Sequence, residues 1–208
     1  MDDEQVRQWL LTEGLDIVDI DLALKLKDAI VRCDTIAFPD DAINIVFTLQ
    51  HHAQSRETWA GYITTGDKYL ITVPQIDILL RNKTRQLLYP PAMRCPSTDV
   101  VTEADLALVL LGVGVHEVRH RIQHKKPWVA RFARPYDVSD RDVRALTQHM
   151  VTLCRDNRHF QRQAGMRRRE LRSAFGPLEV DARVVELLFL RQRSDSDEAI
   201  ERALFAQP

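Results

Sequence analysis

A chain of 208 residues, 45% hydrophobic and 28% charged, holds enough apolar side chains for one substantial core and too many for a disordered segment. Its formal net charge of -1 provides no overall field toward nucleic acid or an anionic membrane. The longest apolar run, LALVLLGVGV at 106–115, is too short to span a bilayer and leads directly into charged residues.

The opening residues, MDDEQVRQWL, are acidic and polar, without the basic stretch and apolar run of a secretory leader. From Gln5 to Cys33 apolar residues recur at helical spacing. Gly14 or Asp16 divides this stretch into two helices, with Asp19 or Asp21 capping the second. FPDD (38–41) reads as a turn, and the β-branched and aromatic content of AINIVFTLQ (42–50) predicts a strand. ETWAGYITTGDKYLITVP (57–74) predicts a hairpin, in which Gly66-Asp67 supplies the positive φ of a tight turn.

QIDILLRNKTRQLL (75–88) predicts a helix, and the three prolines of YPPAMRCPST (89–98) predict an irregular connection. A long helix is expected from about 103 to 125, capped by Thr102 or Ser97 and stopped by KKPW. Ser139 is the expected N-cap of a further helix, and a strongly basic stretch then breaks at Gly176-Pro177. PLEVDARVVELLFLRQR (177–193) predicts a helix with proline in its first turn, and DSDEAIERALFA (195–206) a last short one. Helices, then strands, then helices predict an α+β fold with the sheet in the first half.

Within the long helix stands His116-Glu117-Val118-Arg119-His120. Histidines four apart share one helix face, so their imidazoles can converge on one ion, and imidazole is a preferred zinc ligand. Glu117, beside His116, can take the proton of a water held in an open coordination position. Gly112 and Gly114, costly inside a helix, predict close approach of another backbone, a strand being the first expectation. The competing reading is two partly buried histidines, with Glu117 in a salt bridge to Arg121 at i+4.

Two histidines need a third ligand. His124 continues the stripe but lies another turn along and is expected on the solvent side. Glu179 is the better candidate, because it opens a helix with its own apolar face for packing against the motif helix. The plain alternative is a first-turn glutamate favoured by the helix dipole.

With His116-Glu117-x-x-His120 followed by Glu179-Val180-Asp181-Ala182-Arg183, the chain resembles the gluzincin branch of the zincin metallopeptidases. There a second helix carries a glutamate ligand, commonly within E-x-x-A-[DN]. The resemblance implies a zincin-like α+β fold, with a small antiparallel or mixed sheet and an edge hairpin packed on the motif helix. It implies Zn2+ held by His116, His120 and Glu179, Glu117 as general base, and hydrolysis of a protein or peptide substrate. The hairpin strand at 57–73 would pair with an extended substrate. The chain departs from the family pattern at Arg183, where an acidic or amide side chain often orients a histidine; Glu186, on the face of Glu179, is the candidate replacement, or even the ligand itself. It also departs at Arg119 and Arg121, which put charge around the second histidine. Tyr136, His149, His159 and Arg183 are candidates for stabilising an oxyanion.

The expectation is one domain over 1–208: N-terminal helices at 1–35, a sheet region at 36–100, and a helical region with the metal site at 101–208. Residues 155–172 collect seven arginines against two acids. A silent zincin-like module that binds a protein or nucleic-acid partner through this face is the alternative function, although the balanced net charge favours a solvated helix face. His51-His52 could bind metal only adventitiously. Cys33, Cys95 and Cys154, without a C-x-x-C pair, fit a reducing compartment, so a cytoplasmic location is expected and no membrane partner.

Overall fold

Helix α4 (Glu103–Lys125) is the element on which the others pack. It is buried on nearly all sides from Val109 to Ile122, which is why its sequence lacks a clean polar face. The computed structural model describes residues 2–49, 60–88, 101–126 and 177–206. In chain order, the other elements are α1 (Asp3–Thr12), α2 (Ile17–Ala37), β1 (Asn44–Thr48), β2 (Ala60–Ile63), β3 (Lys68–Thr72) and α3 (Ile76–Leu88). They end with α5 (Pro177–Gln192) and α6 (Asp197–Leu204). The fold is α+β. The expected connection at 89–98, the helix capped by Ser139, the basic stretch and His51-His52 lie outside the described residues.

The helix boundaries follow from capping. Asp2 and Gln5 form a reciprocal capping box at α1, and Thr102 and Asp105 form one at α4. Asp16, through its bond from the Val18 N–H, caps α2. This corrects the expectation for Asp19 and Asp21. Asp21 pairs with Arg7 of α1 at 2.6 Å. Asp19 instead accepts the N–H groups of Gln75 at 2.9 Å and Asp77 at 3.0 Å, so one helix supplies the cap of another. Those bonds also hold Gln75 at φ 64, a conformation unfavourable for a residue with a Cβ.

The sheet order is β1-β3-β2, with β1 parallel and β2 antiparallel to β3. The β2–β3 hairpin turns at Gly66 (φ 88) and Asp67 (φ 46), as its sequence requires. Tyr69 and Ile71 of the central strand and Val73 just beyond it are fully buried, and β3 lies against α2. β2 lies against α4, which brings the edge of the sheet to the His116-Glu117 turn.

α4 packs most extensively against α2 on one side and α5 on the other. Gly114 is where α2 comes closest: a Cβ there would lie 2.9 Å from the Ala29 carbonyl oxygen. The backbone approach expected from this glycine is therefore real, but it comes from a helix and not a strand. At Gly112 the nearest neighbour is the flexible Leu190 side chain, at 3.0 Å. No helix among the described residues is long and apolar enough to cross a membrane.

The two glycines should respond differently to alanine. Gly114→Ala is expected to lower stability by about 1–3 kcal/mol, since backbone must move. Gly112→Ala should change it by less than about 1 kcal/mol, because Leu190 can shift and helix propensity improves. Urea unfolding midpoints of the two variants check this.

Candidate metal centre

His116 and His120 project from the middle of α4, and Glu179 from the first turn of α5, which packs across it. The three side chains bring one donor atom each within 4.8 Å of one another. His120 Nε2 stands 3.2 Å from His116 Nε2 and 3.1 Å from Glu179 Oε2, and His116 Nε2 is 3.4 Å from Glu179 Oε1. The donor atoms of a tetrahedral zinc, with bonds of about 2.0–2.1 Å, stand about 3.3–3.4 Å apart, so the trio has the edge lengths such an ion needs. The His116 side chain is 3% exposed, whereas His120 and Glu179 are 20% and 24% exposed, so solvent reaches the cluster from the side of these two.

The partners of the other ring nitrogens decide which nitrogens face inward as lone pairs. Gln123 Nε2 donates to the Leu178 carbonyl at 2.9 Å and to Asp181 Oδ2 at 2.8 Å. Its Oε1 therefore faces His120 Nδ1, at 2.8 Å, and that nitrogen must carry the proton. His116 Nδ1 stands 3.3 Å from Glu186 Oε2 without making a hydrogen bond to it. His120 Nε2 is then bare and faces the Glu179 carboxylate at 3.1 Å, an arrangement that only a cation, metal or proton, satisfies. Metal-binding histidines are commonly oriented in this way.

Glu186 is fully buried. It pairs with Lys83 Nζ of α3 at 2.7 Å and with Arg183 Nη1 at 2.9 Å, while Arg183 Nε donates to Glu179 Oε1 at 3.0 Å. Arg183 thus bridges the two carboxylates, and the acid that faces His116 sits at 186. Burial alone would raise the carboxyl pKa of Glu179, but the imidazoles and Arg183 hold it far below the ordinary range. Lys83 and Arg183 likewise hold Glu186 low against the effect of burial. Burial, then the charge of Arg183, push the Lys83 pKa down. Burial would lower that of His120, yet its bond with Glu179 and the charge of Glu117 raise it.

Glu117 does not pair with Arg121. Its Oε2 accepts the backbone N–H of Tyr62, on edge strand β2, at 2.9 Å. Arg121 points the other way, to Asp34 Oδ2 at 2.7 Å, Asp41 Oδ2 at 2.8 Å and Asp67 Oδ2 at 3.1 Å. Tyr62 and Tyr69 donate their hydroxyls to Asp67 and Asp34, each at 2.8 Å. This cluster fixes the hairpin turn against α2 and α4, and so fixes where Tyr62 meets Glu117. His124 is exposed and stacks obliquely near Tyr62, with ring centroids 6.1 Å apart. Of the oxyanion candidates, only Arg183 lies within the described residues.

Comparison with protein-family models, curated proteins and solved structures finds no match for this chain. Sequence reasoning weighed His116, Glu117, His120, Glu179 and Glu186, all of which the fold brings to one region. It passed over Lys83 and Gln123, single residues with no periodic or motif signal.

Asp67 gives the hairpin cluster a pH signature. Burial raises its pKa, but bonds from Arg121, Lys125 and Tyr62 more than reverse this, so the folded value lies below the unfolded one of about 3.9. Its stabilisation is complete above that unfolded value and disappears as pH falls through the depressed folded value. Asp67→Asn is therefore expected to cost roughly 1–2 kcal/mol at pH 7. The gap should narrow progressively below about pH 4, as measured by urea unfolding across pH.

Proposed function

We propose that this chain is a zinc-dependent metallopeptidase of the gluzincin type, with His116, His120 and Glu179 as metal ligands and Glu117 as general base. The observation that carries the reading is the convergence of two imidazole Nε2 atoms and a carboxylate at tetrahedral-zinc spacing. One shared proton could bridge two of the three atoms, whereas a zinc ion would engage all three. When bound, zinc supplies a lowered water pKa and a polarised substrate carbonyl.

The remaining roles fall to the chain itself. The Tyr62 N–H holds Glu117 Oε2, leaving Oε1 to receive a proton from the attacking water. β2 forms an edge of the described sheet beside this glutamate, where an extended peptide can add as a further strand. Glu186 takes the place of the family's acid or amide at 183, and Arg183, bonded to both Glu179 and Glu186, is the candidate for stabilising an oxyanion. The zincin-like architecture belongs to this proposal, as does a single domain spanning 1–208. A cytoplasmic location also belongs to it, supported by Cys33 being a buried free thiol. The silent-module alternative rests on residues 155–172, outside the described residues.

Protein purified without chelator or affinity histidines is expected to hold about one zinc per chain, by elemental analysis, and His116→Ala and Glu179→Ala to hold almost none. Glu117→Gln should retain zinc while cleaving a mixed fluorogenic peptide library at least ~100-fold more slowly. A wild-type protein that takes up no zinc, even after incubation with the ion, overturns the reading.

A further inference from the structure

Arg119, a departure from the family pattern, is fully buried and begins a chain of contacts that ends on a proposed ligand. Its Nη1 donates to the carbonyl of Leu204, the last residue of α6, at 2.6 Å. Its Nε and Nη2 hold the two oxygens of Asp181, at 2.7 and 3.2 Å. A carboxylate gripped in this way only accepts, and Oδ2 accepts a further bond from Gln123 Nε2. The second N–H of that amide is used by the Leu178 carbonyl, within the turn that opens α5. Both donors of Gln123 are thus committed to groups that cannot donate, and the amide cannot flip without facing two acceptors with its oxygen.

We infer that Gln123 is a positioning residue for His120: it fixes the Nδ1–H tautomer and presents Nε2 bare to the metal, and Asp181 and Arg119 fix Gln123 in turn. This rests on the zinc reading for its purpose but not for its geometry. The HExxH motif here extends functionally to His116-x-x-Arg119-His120-x-x-Gln123, with Asp181, two residues after Glu179, as its complement on α5. Because Arg119 also takes the Leu204 carbonyl, the end of α6 belongs to the same relay. A side chain that only filled space at 123 would leave the ring free to present either nitrogen.

The test is nuclear magnetic resonance of metal-free protein with 15N-labelled imidazoles, at a pH where the rings are neutral. His120 signals are assigned by their loss in His120→Asn. Wild type is expected to show His120 protonated on Nδ1. Gln123→Met, similar in length but without an acceptor, should shift it to Nε2–H. Zinc affinity, by competition with a chromophoric chelator, should fall about 10–100-fold in Gln123→Met. An Nε2–H ring in wild type, or an unchanged tautomer in Gln123→Met, overturns the inference, and the first needs no variant to fold. Zinc binding with an unchanged tautomer in Gln123→Met sinks this inference and leaves the zinc reading standing. The expected tautomers without any zinc uptake by wild type do the reverse.

Discussion

Two guanidinium groups, on Arg119 and Arg121, are carried by α4 into the interior with no solvent exposure. Left unpaired, either would destabilise the fold by about 3–5 kcal/mol, so the elements that pack on this helix must between them bring acceptors to both. Residues two apart on a helix point about 200° away from each other. Arg119 accordingly meets Asp181 of α5 and the end of α6, while Arg121 meets Asp34 of α2 and Asp67 of the hairpin turn.

The candidate site takes its shape from those pairings. Asp181 lies two residues after Glu179, so the grip of Arg119 on the first turn of α5 fixes where the Glu179 carboxylate meets the imidazoles. Asp67 lies five residues after Tyr62 and is bonded to its hydroxyl, so the grip of Arg121 fixes where the edge-strand N–H meets Glu117. Buried ion pairs add little net stability over apolar packing of equal volume. Their value here is selective: a register shift of α5 or of the hairpin would leave a charge unpaired. The same two arginines that weaken the match to the family signature are what hold its motif residues in place.

Locally encoded features were legible in the sequence. The Thr102 cap, the Gly66-Asp67 turn and the strand at 44–48 each depend on side-chain chemistry within a few residues, and the structure follows them. Asp19 was misread because its capping partners, Gln75 and Asp77, come from a helix more than fifty residues away. The convergence of Glu179 on the histidines was expected from a motif spacing, but the Arg119–Asp181 and Arg121–Asp34 pairs were not. Nothing in a linear pattern distinguishes a solvated arginine from one that is buried against a distant acid. Gly114 was read correctly as a point of close approach and wrongly as facing a strand, since a glycine reports that backbone is near and not what kind.

The exchange of acid and base between positions 183 and 186 bears on what the proposed zinc could do. Around the imidazoles stand three carboxylates, Glu117, Glu179 and Glu186, and two cations, Lys83 and Arg183. With neutral imidazoles the shell sums to one negative charge, and a divalent ion brings it to one positive. Three uncompensated carboxylates would instead leave one net negative charge around the ion and blunt its pull on a carbonyl oxygen. Arg183 also draws on the Glu179 oxygen nearest His116 by donating to it, which makes that carboxylate a weaker donor to the metal. Lys83 and Arg183 are required in any case by the buried Glu186 carboxylate they pair with, and in the proposed enzyme the positive charge left at the centre would also stabilise an oxyanion.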